Sequence, residues 1–156
     1  MATGFGAGLS PRAPGTLGSV EGVLLYLVIA FLAIGPSRQS PAGSIIFLLV
    51  TNLLVFGAGV WAANIVCRQT GLGDPQKVVV DEVSGQLIAL SPLMSSPSII
   101  GVIAAFVLFR LFDILKPYPI SRLERLHGGL GVMADDALAG VFAGILVWLG
   151  RSASLL

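Results

Sequence analysis

The sequence has few charged residues and no extended basic run. Only 11% of its 156 residues are charged, against about 25% in typical soluble proteins. Hydrophobic residues make up 55% of the chain, and the mean hydropathy is +0.94. This composition excludes an ordinary soluble domain and predicts an integral membrane protein. The net charge of +1 argues neither for nor against a nucleic-acid partner, and we expect none because no basic run suggests it.

Cysteine and histidine each occur once. Cys67 alone excludes an internal disulfide framework, and because Arg68 follows it directly, there is no Cys-x₅-Arg loop for a cysteine-phosphatase mechanism. The single histidine, His127, excludes phosphatases that need one histidine as nucleophile and another as acid. An Asp-x-Asp pair is also missing, which excludes aspartyl-phosphate enzymes of the haloacid dehalogenase type.

Apolar segments predict an all-α membrane protein that forms one domain over residues 1–156. A spanning helix needs about 20 apolar residues. Four segments meet that need: Leu17–Ile34, Ile45–Cys67, Ser98–Leu115 and Val132–Leu149. A weaker fifth segment, Val78–Met94, has polar first turns, and the sequence leaves open whether it crosses fully. We expect a bundle of four to five transmembrane helices and no cleaved signal peptide.

The placement of lysine and arginine predicts the orientation of the bundle. With five crossings and the N-terminus inside, only Arg38 and Arg151 lie outside. The inner side receives Arg12, Arg68, Lys77, Lys116, Arg122 and Arg125, with Arg110 one or two turns away. The acids fall on the inner side as well: Glu21, Asp74, Asp81, Glu82, Asp113, Glu124, Asp135 and Asp136. This crowding of both signs predicts a polar site on the cytoplasmic face.

Two adjacent acidic pairs, Asp81-Glu82 and Asp135-Asp136, point most directly to a ligand. Acids beside apolar segments usually face a polar cavity, a cation or a partner charge. Asp81 and Asp136 each lie four residues before a glycine, which predicts two closely packed helices with acids at the same end. Ligation by carboxylates alone favours Mg²⁺ or Mn²⁺ over zinc. The alternative is that each pair only compensates the dipole of the helix it opens.

The N-terminal stretch Ser10–Ser19 leads into the first helix and has the sequence Ser-Pro-Arg-Ala-Pro-Gly-Thr-Leu-Gly-Ser. Backbone N–H groups and the positive dipole end at a helix N-terminus suit a phosphate. The residues expected to contact that phosphate are Arg12, Gly15, Thr16, Gly18 and Ser19. The alternative interpretation is an N-cap at Thr16 or Ser19 preceded by flexible glycines.

Arg110, Asp113 and Lys116 recur every three residues at the inner end of a helix and therefore share one face. An arginine within a membrane needs partners. Arginine and lysine beside a metal form an electrostatic clamp for a phosphoryl group. A salt-bridged helix end is the alternative. The following Gly128–Gly131 stretch predicts a flexible turn directly before the second acidic pair.

At these residues the chain resembles the phosphatidylglycerophosphatase A family. Ser10–Ser19 is similar to the family's N-terminal motif, and Val80–Gly85, with the sequence Val-Asp-Glu-Val-Ser-Gly, is similar to its central motif. Phe109–Ile120 and Gly128–Gly140 resemble its C-terminal signature. The four motifs occur in the family's order, and the resemblance covers nearly the whole chain.

The resemblance implies a Mg²⁺-dependent phosphatase of the bacterial inner membrane, with its active site facing the cytoplasm. It implies conversion of phosphatidylglycerophosphate to phosphatidylglycerol and inorganic phosphate. The hypothetical metal ligands are Asp81, Glu82, Asp113, Asp135 and Asp136, and the hypothetical catalytic residues are Asp81, Asp136, Arg110 and Lys116. The sequence leaves open the number of metal ions, the oligomeric state, which carboxylate acts as base, and whether water or Thr16 is the nucleophile.

Two other functions are compatible with a carboxylate-rich membrane protein. A small cation transporter or channel would also bind metal, although cation pathways rarely carry arginine. A phospholipid synthase of the CDP-alcohol transferase class would also depend on Mg²⁺. The Asp-x₂-Asp-Gly-x₂-Ala-Arg pattern of that class is absent from this sequence.

Overall fold

The computed structural model describes residues 2–34, 41–73, 75–123 and 125–156, and this part of the chain is helical without strands, as predicted. The α-helices are α1 Pro14–Ile34, α2 Pro41–Thr70, α3 Val80–Leu90, α4 Ile99–Leu115, α5 Ile120–Leu123 and α6 Gly129–Ser152. A 3₁₀ helix, Gly4–Leu9, precedes α1, and another, Ser91–Leu93, extends α3. Arg38, which the predicted topology used, lies outside the described residues, as do Asp74 and Glu124, two of the acids predicted to lie on the inner side.

Three of the described helices are long and apolar enough to cross a membrane. They are Pro14–Leu32 within α1, Gly43–Thr70 within α2, and Gly129–Ser152, which is α6. The 17 residues of α4 extend over about 26 Å. The 11 residues of α3 extend over only about 17 Å, against a hydrocarbon core of about 30 Å. The predicted four to five crossings are therefore confirmed only in part, and the inside N-terminus stays a prediction.

The short helix α3 lies at the centre of the bundle, packed against α1, α2, α4 and α6. Most of its residues are buried, including the polar Ser84 and Gln86. The longer helices instead turn large apolar side chains outward, as with Phe31, Leu53 and Ile103. Apolar surface on the outside and polar groups within is the arrangement expected of a protein that faces lipid.

The helices α3 and α6 meet at two glycines, as the sequence predicted. A Cβ atom on Gly140 would overlap the carbonyl oxygen of Gly85, and one on Gly85 would lie 2.6 Å from the carbonyl oxygen of Asp136. The two backbones therefore touch with no side chain between them, a contact that small residues allow. One turn before these glycines, the contact brings Asp81 and Asp136 together.

The beginning of α6 differs from the prediction. This helix begins at Gly129, so Asp135 and Asp136 lie beyond its first turn and do not open it. The predicted flexible glycine turn is wrong, because most of it forms the first helical turn. A Cβ atom on Gly129 would overlap the carbonyl oxygen of Val60 in α2. These glycines permit close helix packing, and dipole compensation, which is confined to the first turn, does not explain the second acidic pair.

Candidate active site

A polar cavity of about 510 Å³ lies at one end of the bundle, where α1 and α3 begin and α4 ends. Both acidic pairs and the charged face of α4 line it, as does the turn before α1. The predicted site residues that line the cavity are Gly15, Thr16, Asp81, Glu82, Arg110, Asp113, Lys116, Asp135 and Asp136. The fold thus brings together residues from four separated parts of the sequence.

Three carboxylates form a compact cluster in this cavity. Asp81, Glu82 and Asp136 each offer an oxygen, and these oxygens all lie within 4.8 Å of one another. One oxygen of each residue is buried without a hydrogen-bond partner: Asp81 Oδ1, Glu82 Oε2 and Asp136 Oδ2. Burying such groups unpaired is unfavourable. The cluster therefore fits a divalent cation, and oxygen-only ligands suit a hard ion such as Mg²⁺.

The electrostatics of the α3 pair agree with that interpretation. Burial raises the pKa of the Asp81 carboxyl group well above its ordinary value, and the nearby charges of Glu82 and Asp136 raise it further. Burial also raises the pKa of Glu82. Both shifts arise because negative charge is crowded into a poorly solvated site. A bound cation would be the largest local charge and would favour the ionised carboxylates.

Arg110 is held by an acid on its own helix. Its Nη1 atom lies 2.6 Å from Asp113 Oδ2, and both side chains are mostly buried. The same nitrogen lies 3.5 Å from Ser19 Oγ, which donates a hydrogen bond to the carbonyl oxygen of Gly15. The structure therefore places Asp113 beside the three-carboxylate cluster but outside it, as the partner of the arginine.

Lys116 is held by the second acidic pair. Its Nζ atom lies 2.6 Å from Asp135 Oδ2, while Asp135 Oδ1 accepts a hydrogen bond of 3.0 Å from the N–H of Asp136. Lys116 ends α4 in the left-handed conformation, with φ +41°, and its N–H donates to the Phe112 carbonyl oxygen. Glycine usually occupies such a position. The second acidic pair is thus divided, because Asp136 joins the cluster and Asp135 binds the lysine.

Gly15 and Thr16 are the predicted phosphate-binding residues that line the cavity. A Cβ atom on Gly15 would overlap Glu82 Oε1 and would lie 3.1 Å from Arg110 Nη1. The absence of a side chain at Gly15 therefore lets a carboxylate and a guanidinium approach the start of α1. The sequence did not predict this second role of the glycine.

The other predicted phosphate-binding residues lie away from the cavity wall. Arg12 is exposed and Ser19 is buried towards Arg110. Gly18 packs against α3, because a Cβ atom there would lie 2.8 Å from the Val79 carbonyl oxygen. Gly18 and Ser19 are therefore buried beside the site without lining the cavity, and Arg12 does not line it either.

Two polar residues near the site were missed by the sequence analysis. Gln76 lines the cavity from the loop before α3. Asn64 in α2 accepts a hydrogen bond of 2.8 Å from the N–H of Gly129 through its Oδ1 atom, and so fixes the beginning of α6. Neither residue belongs to a charged motif. A polar asparagine within the mostly apolar segment Ile45–Cys67 was the available signal for Asn64.

The fold and site define a class of protein: in the residues described, a helical bundle with helices long and apolar enough to cross a membrane, a carboxylate cluster that could hold a metal ion, and an arginine and a lysine in the same cavity. Residues 1–151 match the family model described as Phosphatidylglycerophosphatase A. The chain therefore belongs to the phosphatidylglycerophosphatase A family. It is a phosphatase that hydrolyses a phosphomonoester.

Curated relatives agree with this membership. Proteins named phosphatidylglycerophosphatase A from Haemophilus influenzae and Escherichia coli K12 are 40% and 38% identical, over 95% and 97% of this chain and 85% and 82% of their own lengths. A protein from Bacteroides thetaiotaomicron, provisionally named phosphatidylinositol-3-phosphatase, is 40% identical over 97% of this chain and 91% of its own length. No solved structure matches the chain. Membership in a phosphatase family sets aside the transporter and the CDP-alcohol transferase.

Proposed function

We propose that this chain is a Mg²⁺-dependent phosphatase that converts phosphatidylglycerophosphate to phosphatidylglycerol and inorganic phosphate. One observation carries the proposal: three carboxylates, each with one buried and unpartnered oxygen, share a cavity with Arg110 and Lys116. A cation and two basic side chains together complement a phosphomonoester dianion. The relatives named phosphatidylglycerophosphatase A support the lipid substrate.

Asp81, Glu82 and Asp136 would hold the cation. Their clustered oxygens, with one buried oxygen on each residue that has no hydrogen-bond partner among the described residues, make them the candidate ligands. When bound there, Mg²⁺ supplies a Lewis acid that polarises a phosphoryl oxygen and lowers the pKa of water. We assign the acceptance of a proton from the attacking water to Asp81 or Asp136. Thr16, which lines the same cavity, is the alternative nucleophile.

Arg110 and Lys116 would bind the phosphoryl oxygens and stabilise the charge that develops during transfer. Each is held in place by a carboxylate, Asp113 for the arginine and Asp135 for the lysine, at 2.6 Å in both cases. Groups fixed before the reaction stabilise a transition state without the cost of reorganisation. We therefore reassign Asp113 and Asp135 from metal ligands to positioning residues.

The proposed location is the cytoplasmic face of the bacterial inner membrane. The distribution of Lys and Arg supports it, since the end of the bundle that carries the cavity is also the one predicted to lie inside. The three spanning-length helices support residence in the bilayer. A lipid headgroup in the cytoplasmic leaflet could then reach the cavity while its acyl chains stay in the membrane.

Phosphate release from purified protein tests this function. The protein in detergent should release inorganic phosphate from phosphatidylglycerophosphate, lose that activity with EDTA, and regain it with Mg²⁺. Phosphatidylinositol 3-phosphate should be tested in parallel, because one relative carries that activity in its provisional name. If neither lipid releases phosphate with Mg²⁺ present, the proposal is wrong. A clear preference for phosphatidylinositol 3-phosphate would make that lipid, and not phosphatidylglycerophosphate, the substrate.

A further inference from the structure

A second depression, of about 290 Å³, lies between α1 and α4, the two helices that carry Gly15 and Arg110. Every side chain that lines it is apolar: Val20, Val23, Leu24, Val102, Ile103 and Phe106. We call this depression the α1–α4 groove. The mechanism proposed above does not use it.

The α1–α4 groove continues the crevice that holds the polar cavity. In α1, Thr16 lines the cavity and Val20, four residues on, lines the groove; in α4, Arg110 and Phe106 are related in the same way. Four residues correspond to about 6 Å along a helix. A ligand along this crevice would therefore meet charged groups first and purely apolar groups one helical turn deeper. This order, charged groups and then apolar groups, matches a lipid whose phosphate headgroup is followed by its acyl chains.

The groove faces outward. Ile103 is 58% exposed and Leu24 is 56% exposed, although both are large apolar side chains. In a bilayer these side chains contact hydrocarbon. A lipid could therefore enter from the side, with its headgroup moving into the cavity and its chain remaining at membrane depth.

A larger apolar cavity, of about 580 Å³, lies between the N-terminal 3₁₀ helix and α1, α2 and α3. It is a poorer candidate because α1 and α3 pack tightly between it and the polar cavity. A Cβ atom on Gly18 would lie 2.8 Å from the Val79 carbonyl oxygen, and one on Gly22 would lie 2.8 Å from Gln86 Cβ. This contact leaves no space between the helices for an acyl chain.

We propose that the α1–α4 groove binds one acyl chain of the lipid whose phosphomonoester occupies the polar cavity. The inference rests on the proposed function and extends it, because it makes the groove the part of the enzyme that distinguishes a lipid from a soluble phosphomonoester. Binding energy from a remote part of a substrate can be used to orient the reacting group. The groove would contribute to kcat/KM for long-chain substrates only.

The test compares two lipid-facing substitutions. Ile103→Trp fills the groove, whereas Leu53→Trp places the same bulk on α2, where the side chain is 70% exposed and lines none of the depressions described above. Each variant is assayed with long-chain phosphatidylglycerophosphate and with a soluble analogue in which acetyl groups replace the long acyl chains. Ile103→Trp should lower kcat/KM for the long-chain lipid by at least about tenfold, the scale of a lost methylene-sized contact. Its kcat/KM for the analogue should stay at the wild-type value.

The outcomes separate the two proposals. If wild-type protein releases no phosphate from either substrate, the proposed function fails. If wild type is active and Ile103→Trp has the same kcat/KM as Leu53→Trp on the long-chain lipid, the groove inference is wrong. It is also wrong if Ile103→Trp loses activity equally on both substrates.

A second experiment locates the acyl chain directly. A lipid with a photoreactive group in its acyl chain should cross-link to peptides from α1 and α4 in EDTA-treated protein. Labelling confined to α2 would contradict the inference.

Discussion

The two acidic pairs look alike in the sequence, yet the structure gives them different surroundings. Asp81 and Glu82 both enter the three-carboxylate cluster. The second pair is divided between that cluster, which takes Asp136, and an ion pair with Lys116, which takes Asp135. The comparison shows that adjacency in sequence does not make two acids equivalent ligands.

The physical origin of the difference lies in the neighbouring helices. Consecutive residues of a helix point in different directions. In α6, Asp136 therefore faces α3, and Asp135 faces Lys116 at the end of α4. The left-handed turn at Lys116 coincides with the contact between its side chain and Asp135. A carboxylate that has a basic partner orients that partner, whereas a buried one without such a partner takes up a proton unless a cation is bound.

The strongest way to test the comparison is to neutralise the clustered acids. Asp136→Asn and Asp81→Asn should each lower kcat/KM by at least about 10²-fold, the scale of losing a main electrostatic stabiliser. Phosphate release at saturating Mg²⁺ measures the effect, and the elution profile in detergent checks the fold. Rates near wild type in both variants would mean that the cluster holds no catalytic cation.

The second test disturbs the cluster without changing a charge. Gly15→Ala would place a methyl group on Glu82 Oε1, so we expect a loss in kcat/KM of about tenfold to 10²-fold from misplacement of a carboxylate. Gly57→Ala is the matched control, since a Cβ atom there meets nothing within 4 Å. Equal activity of the two variants would show that Glu82 does not need its present position.

The smallest expected effect belongs to the acid that has a basic partner. Asp135→Asn should lower kcat/KM only about tenfold, as expected for a residue that orients another group. The concentration of Mg²⁺ needed for half-maximal activity should stay unchanged, because Lys116, and not the cation, loses its partner. A large increase in that Mg²⁺ concentration would mean that Asp135 is itself a metal ligand.

The sequence predicted the parts of this molecule that depend on local pattern. Apolar runs located the long helices, although α1, α2 and α6 begin three or four residues before the predicted segments. The spacing of acids and glycines predicted the contact of α3 with α6, because i and i+4 positions share a helix face. Arg110, Asp113 and Lys116 line the cavity together with the acids, although Lys116 follows the last residue of α4 and does not share its helical face.

What the sequence could not predict depends on tertiary contacts. The glycines near residue 129 suggested a turn, but close packing on α2 makes them helical. The segment around α3 was too polar to classify, and only its burial by four other helices explains how it forms. Contacts between helices that are distant in sequence likewise decide which acid pairs with Lys116 and which acids form the cluster.

Direct measurement of cation binding tests the central claim, that Asp81, Glu82 and Asp136 form the metal site. Electron paramagnetic resonance of Mn²⁺, titrated into wild type, Asp136→Asn and Asp135→Asn in detergent, reports bound ion without any need for turnover. Wild type and Asp135→Asn should bind Mn²⁺ with similar affinity, whereas Asp136→Asn should bind it far more weakly. Equal binding by all three, or loss of binding only in Asp135→Asn, would contradict it.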